Sequence, residues 1–170
     1  MHEKYDTRAF VLKARPYKED SVEVVLFSET LGKIKAIAQA AKRPGATFAA
    51  SVEPGTLGSY ALVRGRYHWR ITGMHDLTQY SFSLEKELKD AYLRILSILS
   101  RFLPEQEAHI EVFTKLENFL EDTPEDLERG EAEIVFLLLV ALGYADKTAD
   151  VSKTEDLILE VNKGILAADL

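Results

Sequence analysis

The hydrophobic period of this chain changes once, near residue 80, and no other feature constrains its fold as strongly. Before that point apolar residues fall in short alternating or β-branched runs; after it they recur every three or four positions. A period near two puts alternate side chains on opposite faces of a strand, and a period near 3.6 puts them on one side of a helix. The sequence therefore predicts an α+β protein of two domains, a β domain over 1–78 and a helical domain over 79–170.

In the first half, Arg8–Arg15, Ser21–Ser28, Lys33–Ala40, Leu57–Arg64 and Tyr67–Gly73 read as strands. Pro16 is expected to stop the first, a turn near Gly32 the second, and Gly65 lies in the hairpin joining the last two. Five short strands with one long connection, after the third, suit a closed OB-like barrel better than a sandwich, which usually has about seven. Closure also removes exposed sheet edges.

In the second half, Leu84, Leu88, Tyr92, Ile95, Leu99 and Phe102 mark a first helix, ended by Pro104. A second spans Glu107 to Leu120, with Ile110, Phe113, Leu116 and Leu120 along one face. Thr123-Pro124-Glu125-Asp126 has the chemistry of a helix start: a capping hydroxyl, proline in the first turn, and acids at the positive end of the dipole. The third helix carries the apolar run Ile134–Leu142, expected to be buried on all sides, and stops at Gly143. A polar loop over 145–155 leads to a last helix, Glu155 to Ala168. The nine-residue apolar run is far short of the ~20 residues that span a bilayer.

Charge divides along the same line. The net charge is −7, but residues 1–80 hold twelve Lys and Arg against eight Asp and Glu, and residues 81–170 hold nine against twenty. A basic half joined to an acidic half suits two units with different partners; it also suits well-solvated acidic helices, and composition does not separate the two. With no cysteine, disulfides and thiolate metal sites are excluded. His2, His68, His75 and His109 lack metal-ligand spacing, so no metal and no cofactor is expected. No glycine-rich phosphate loop and no nucleophile elbow occurs. The acid pairs Glu85/Glu87 and Asp122/Glu125 sit in charge-rich helical stretches and read as solvated surface. An enzyme is not expected.

The cations of the first half carry more information. Lys33 and Lys35 share one strand face, as do Lys13 and Arg15. Lys42 and Arg43 follow in the long connection, Arg64 and Arg66 flank the hairpin turn, and Arg70 lies on its second strand. Gathered on one side of a barrel they would form a groove that binds a phosphate chain by counterion release. Scattered, they would only keep strand edges soluble. Tyr67 and Trp69 are expected on one strand face, with His68 and Arg70 on the other. Trp69 reads as core, and Tyr17 and Tyr67 as partly exposed; an exposed aromatic can stack a base for ~1–3 kcal/mol.

The order of short motifs resembles the RecO family of bacterial recombination mediators. The residues concerned are Val11-Leu12-Lys13-Ala14-Arg15-Pro16-Tyr17, Glu19, Ser21, Val25-Leu26-Phe27-Ser28, Leu31-Gly32-Lys33-Ile34 and Ala38-Gln39-Ala40-Ala41-Lys42-Arg43-Pro44. Phe48-Ala49-Ala50, Glu53-Pro54-Gly55, Ala91-Tyr92-Leu93 and Leu142-Gly143-Tyr144 continue the series, so the likeness covers about residues 8–144. Each motif is weak alone; their order and spacing are what is specific. The resemblance implies an OB-fold that binds single- and double-stranded DNA, a helical domain that docks partners, annealing of complementary strands, and help in loading recombinase onto strands coated by single-strand-binding protein. It implies RecR and the single-strand-binding protein tail as partners, and a cytoplasmic, nucleoid-associated location.

As DNA contacts the resemblance carries over Lys33, Lys35, Lys42 and Arg43, with Arg15, Arg64, Arg66 and Arg70 as weaker additions, and the reading of exposed aromatics adds Tyr67. Arg94, Arg101 and Lys115, cations in the acidic half, are the candidates for partner contacts. Three departures stand out. Ala40 replaces a glycine common at the end of the third strand, and the connection after Arg43 is poorer in cations than in many members. The four-cysteine zinc module that many members insert after Leu-Gly-Tyr is missing, with only residues 145–155 in its place. The alternative to a DNA-binding mediator is an OB-fold protein-interaction adaptor with little DNA affinity.

Overall fold

The computed structural model describes residues 3–39, 41 and 52–169. Strands β1 (Lys4–Tyr17), β2 (Ser21–Ser28), β3 (Gly32–Ala38), β4 (Thr56–Arg64) and β5 (Trp69–Gln79) precede helices α1 (Tyr80–Ser83), α2 (Lys86–Phe102), α3 (Ile110–Glu121), α4 (Leu127–Ala141) and α5 (Thr154–Ala168). By contacts the chain divides into two compact units, Met1–Glu85 with Leu103–Ala108, and Lys86–Phe102 with His109–Leu170.

The strands close into a barrel in the order β1-β2-β3-β5-β4, all neighbours antiparallel except β3 and β5. β1 is longer at both ends than its alternating run suggests, because it serves two neighbours: Lys4–Phe10 pairs with β4, and Ala9–Tyr17 with β2. Pro16 does not end it but sits opposite Val22, one residue from the strand's end. The interior is built from Ala9, Val11, Val24, Leu26, Ile34, Ala36, Ala38, Tyr60, Leu62, Trp69 and Ile71.

A bulge in β1 decides where its cations go. Val11 lies opposite core Leu26, but the next pairing is Lys13 with Val25, so Leu12 is the extra residue. Ala9 and Val11 point inward; without the bulge the two-residue period would send Lys13 and Arg15 inward after them. The added residue reverses the parity and puts both on the outer face.

In the helical unit α4 and α5 share a core of Ala132, Val135, Leu139, Leu157 and Val161. α4 is not buried on all sides as its apolar run suggests: Ile134, Val135, Leu138 and Leu139 are buried, Phe136, Leu137 and Val140 are half-buried, and Ala141 is exposed. The expected Thr123 cap is also displaced. Asp126 caps α4, its carboxylate accepting the Arg129 N–H at 2.9 Å. α3 begins at Ile110 rather than Glu107 because residues 105 and 106 are engaged with β3.

Candidate nucleic-acid interface

Two turns frame one side of the barrel. The β4–β5 turn is closed by Gly65 N–H donating to the His68 carbonyl at 3.0 Å, and a Cβ on Gly65 would meet that oxygen at 2.6 Å. This brings Arg64, Arg66 and Tyr67 beside the start of β3. Together with Lys33, Lys35, Trp69, Glu105 and Gln106 they line a cleft of about 260 Å³. Tyr17, at the end of β1, meets His68 edge-on with ring centroids 6.0 Å apart, so the β1–β2 and β4–β5 turns touch.

Four of the sequence-chosen cations, Lys33, Lys35, Arg64 and Arg66, therefore converge on one concavity. Arg66 lies over the Tyr67 ring at 5.2 Å and Arg64 over Trp69 at 5.8 Å, which orients two of them. Tyr67 is 77% exposed and lies in the turn, not on a strand face with Trp69, because β5 starts only at Trp69. Trp69 is core, as its pattern suggests, with Tyr5 edge-on at 5.1 Å. Partial burial pulls the Lys33 ammonium below its usual range; Glu105 opposes that shift, while Lys35 and Lys13 add to it.

A second set extends from Lys35 around the barrel. Register aligns Lys13, Val25 and Lys35 across three strands, and Arg15, Glu23, Ile37 and Arg70 across four. Lys13, Arg15 and Lys35 border a neighbouring hollow of about 400 Å³ with Val25 and Pro54. Arg15 is held by Glu23, which accepts from its Nε at 2.7 Å and is itself only 4% exposed. Arg70 projects outward beside Ile37 and lines neither hollow. Lys42 and Arg43 lie outside the described residues.

The cleft also contains groups that the sequence pattern did not reveal. Glu105 and Gln106, from the segment joining α2 to α3, border it, and Lys35 pairs with Glu105 at 2.5 Å. Glu85, Glu105 and Glu107 raise this unit's acid count from eight to eleven against its twelve Lys and Arg. The only sequence signal was the aperiodic stretch after Pro104, too short to assign. In the helical unit the three chosen cations are each tied to a carboxylate: Arg94 to Glu131 at 2.7 Å, Arg101 to Asp169 at 2.7 Å, and Lys115 to Glu133 at 2.7 Å. Arg94 borders a groove of about 600 Å³ between α2, α4 and α5, rimmed by Glu87, Asp90, Glu128 and Glu131. Among the described residues no helix is long and apolar enough to cross a membrane, and no cluster of His, Asp or Glu could hold a metal ion.

A closed barrel of order 1-2-3-5-4, with its cations at the third strand and the β4–β5 turn, is of the OB class, whose oligomer-binding members use those parts. The family model described as Recombination protein O N terminal matches residues 1–80. DNA repair protein RecO of Clostridium novyi is 31% identical over 144 residues, covering 82% of this chain and 56% of the relative. DNA repair protein RecO of Caldanaerobacter subterraneus is 30% identical over 163 residues, covering 89% and 64%. The namesake from Alkaliphilus metalliredigens is 38% identical over 60 residues, or 35% and 24%. The first 80 residues match the RecO family model, and the chain is similar to RecO proteins over most of its own length while spanning between about half and two thirds of the length of the first two relatives.

Proposed function

We propose that this chain is a DNA-binding DNA-repair protein that acts as a recombination mediator, without a catalytic step of its own. The observation that carries the reading is the convergence of Lys33, Lys35, Arg64 and Arg66 with exposed Tyr67 in one cleft of the barrel. The cations bind phosphates and release their counterions; Tyr67 offers a ring on which an unpaired base stacks. Lys13, Arg15 and Arg70 continue the positive face on the barrel exterior, and Lys42 and Arg43 belong to the reading by sequence. The names of the relatives, DNA repair proteins all, support the same assignment.

Annealing follows from the same physics. Two complementary strands repel through their phosphates, and a cationic face that neutralises several of them lowers that repulsion while leaving base edges free to pair. Within this reading the single-strand-binding protein tail and RecR are the partners, the protein acts in the cytoplasm at the nucleoid, and recombinase loading is the outcome. The acidic tail would have to exchange with the carboxylates that hold Arg94, Arg101 and Lys115.

Fluorescence anisotropy of a labelled single strand across a salt series tests the proposal. Three or four phosphate contacts, according to whether Lys35 is free of Glu105, predict a log–log slope of about −2 to −3, from about −0.7 per contact. An adaptor of proteins would show no saturable binding at any salt, and that result refutes the proposal. A strand-annealing assay then separates a mediator from a passive DNA binder.

A further inference from the structure

The cleft contains its own anion. Glu105 lies on the segment Leu103–Ala108, which belongs to the barrel unit although helices of the other unit flank it in sequence. The segment is seated by backbone. Gln106 N–H donates to the Lys33 carbonyl at 2.9 Å, and residue 105 bridges in parallel to residue 33. Gly32 has φ +70°, and a Cβ there would overlap the Glu107 carbonyl, so the chain passes as closely as two backbones allow. From this seat the Glu105 carboxylate reaches the Lys35 ammonium at 2.5 Å. The Lys35 hydrogen bond holds the Glu105 carboxyl below its usual range, so the group is ionised at neutral pH.

We propose that Glu105 stands where a backbone phosphate of bound nucleic acid docks, so that it competes with DNA for Lys35 and sets the cleft's affinity. The inference rests on the DNA-binding reading above. A carboxylate presents two acceptor oxygens to an ammonium much as a phosphate does. When a phosphate takes Lys35, the displaced carboxylate regains a cation from solution. The exchange releases a counterion from the DNA and takes one up at Glu105, so Lys35 adds almost nothing to the salt slope while Glu105 is present. Removing the carboxylate's charge turns Lys35 into a full contact.

The test is anisotropy of the full chain with a labelled single-stranded oligonucleotide, comparing wild type, Glu105→Gln, Lys35→Ala and the double variant across a salt series. Glu105→Gln is expected to bind roughly two- to fivefold tighter at low salt, the range of an exposed ion pair, and its slope is expected to steepen by about 0.7. In the Lys35→Ala background the same change is expected to have no effect. Asp76→Asn removes an equal charge from an exposed position outside the cleft and controls for net charge. If wild type binds and Glu105→Gln matches it, or matches Asp76→Asn, or keeps its gain without Lys35, the inference is wrong and the DNA-binding reading stands. If wild type does not bind at any salt, both are wrong.

Discussion

Substituting Gly32 by Ala tests whether the Leu103–Ala108 segment is built into the barrel. Gly32 sits in the left-handed region at φ +70°, where an L residue costs about 1–2 kcal/mol. The new methyl would overlap the Glu107 carbonyl, so the segment must lift away. Lifting it breaks the Gln106–Lys33 backbone hydrogen bond, about 0.5–1.5 kcal/mol, and loosens the exposed Lys35–Glu105 pair, about 0.2–1 kcal/mol. These contributions total about 2–4 kcal/mol. Trp69 is the chain's single tryptophan and lies in the barrel core, so its fluorescence reports that unit's unfolding. With a urea m-value near 2 kcal/mol/M, Gly32→Ala is expected to lower the midpoint by about 1–2 M. A shift below about 0.3 M would refute the reasoning, because it would mean the segment gives way at no cost.

Arg15→Ala leaves the buried Glu23 carboxylate without its guanidinium, and is expected to cost about 1–3 kcal/mol in the same assay; an unchanged midpoint would contradict the pairing. Tyr67→Ala, in an exposed turn, is expected to change stability by less than about 0.5 kcal/mol while weakening single-strand binding by about 1–3 kcal/mol. Equal affinity would remove Tyr67 from the interface. The Glu105 carboxyl is held below its ordinary range, so the stability it adds is complete above about pH 4.3, its unfolded value, and is lost as pH falls through the folded value. The stability gap between wild type and Glu105→Gln is therefore expected at pH 7 and to close as acid protonates the folded carboxyl; a gap that persists once the carboxyl is protonated would assign it to something other than the charge.

Much of this architecture was legible because its signals are local. The change of period separated strands from helices, and the β-branched run Ser21–Ser28 fixed β2 at its observed ends. Lys33 and Lys35 share an outer face because Ile34 and Ala36 face the core, an alternation visible in the sequence. What was not legible depends on partners far along the chain. The ends of β1 are set by two neighbours, and the Leu12 bulge that turns Lys13 outward shows only in the register with β2. The Tyr67–Gly73 run reads in sequence as one continuous strand with Tyr67 on its face, whereas the Gly65–His68 closure keeps Tyr67 in the turn. Glu105 carries no local signal, because its place in the cleft comes from a contact with Lys35, seventy residues earlier in the chain.

The proposed function fixes a location: nucleic acid would lie across the start of β3 and the β4–β5 turn. Amide hydrogen exchange of the full chain, with and without a saturating single-stranded oligonucleotide at low salt, measures that location directly. Added protection is expected at residues 32–36 and 64–70. Protection confined to the helical unit, with those two stretches unchanged, would contradict it.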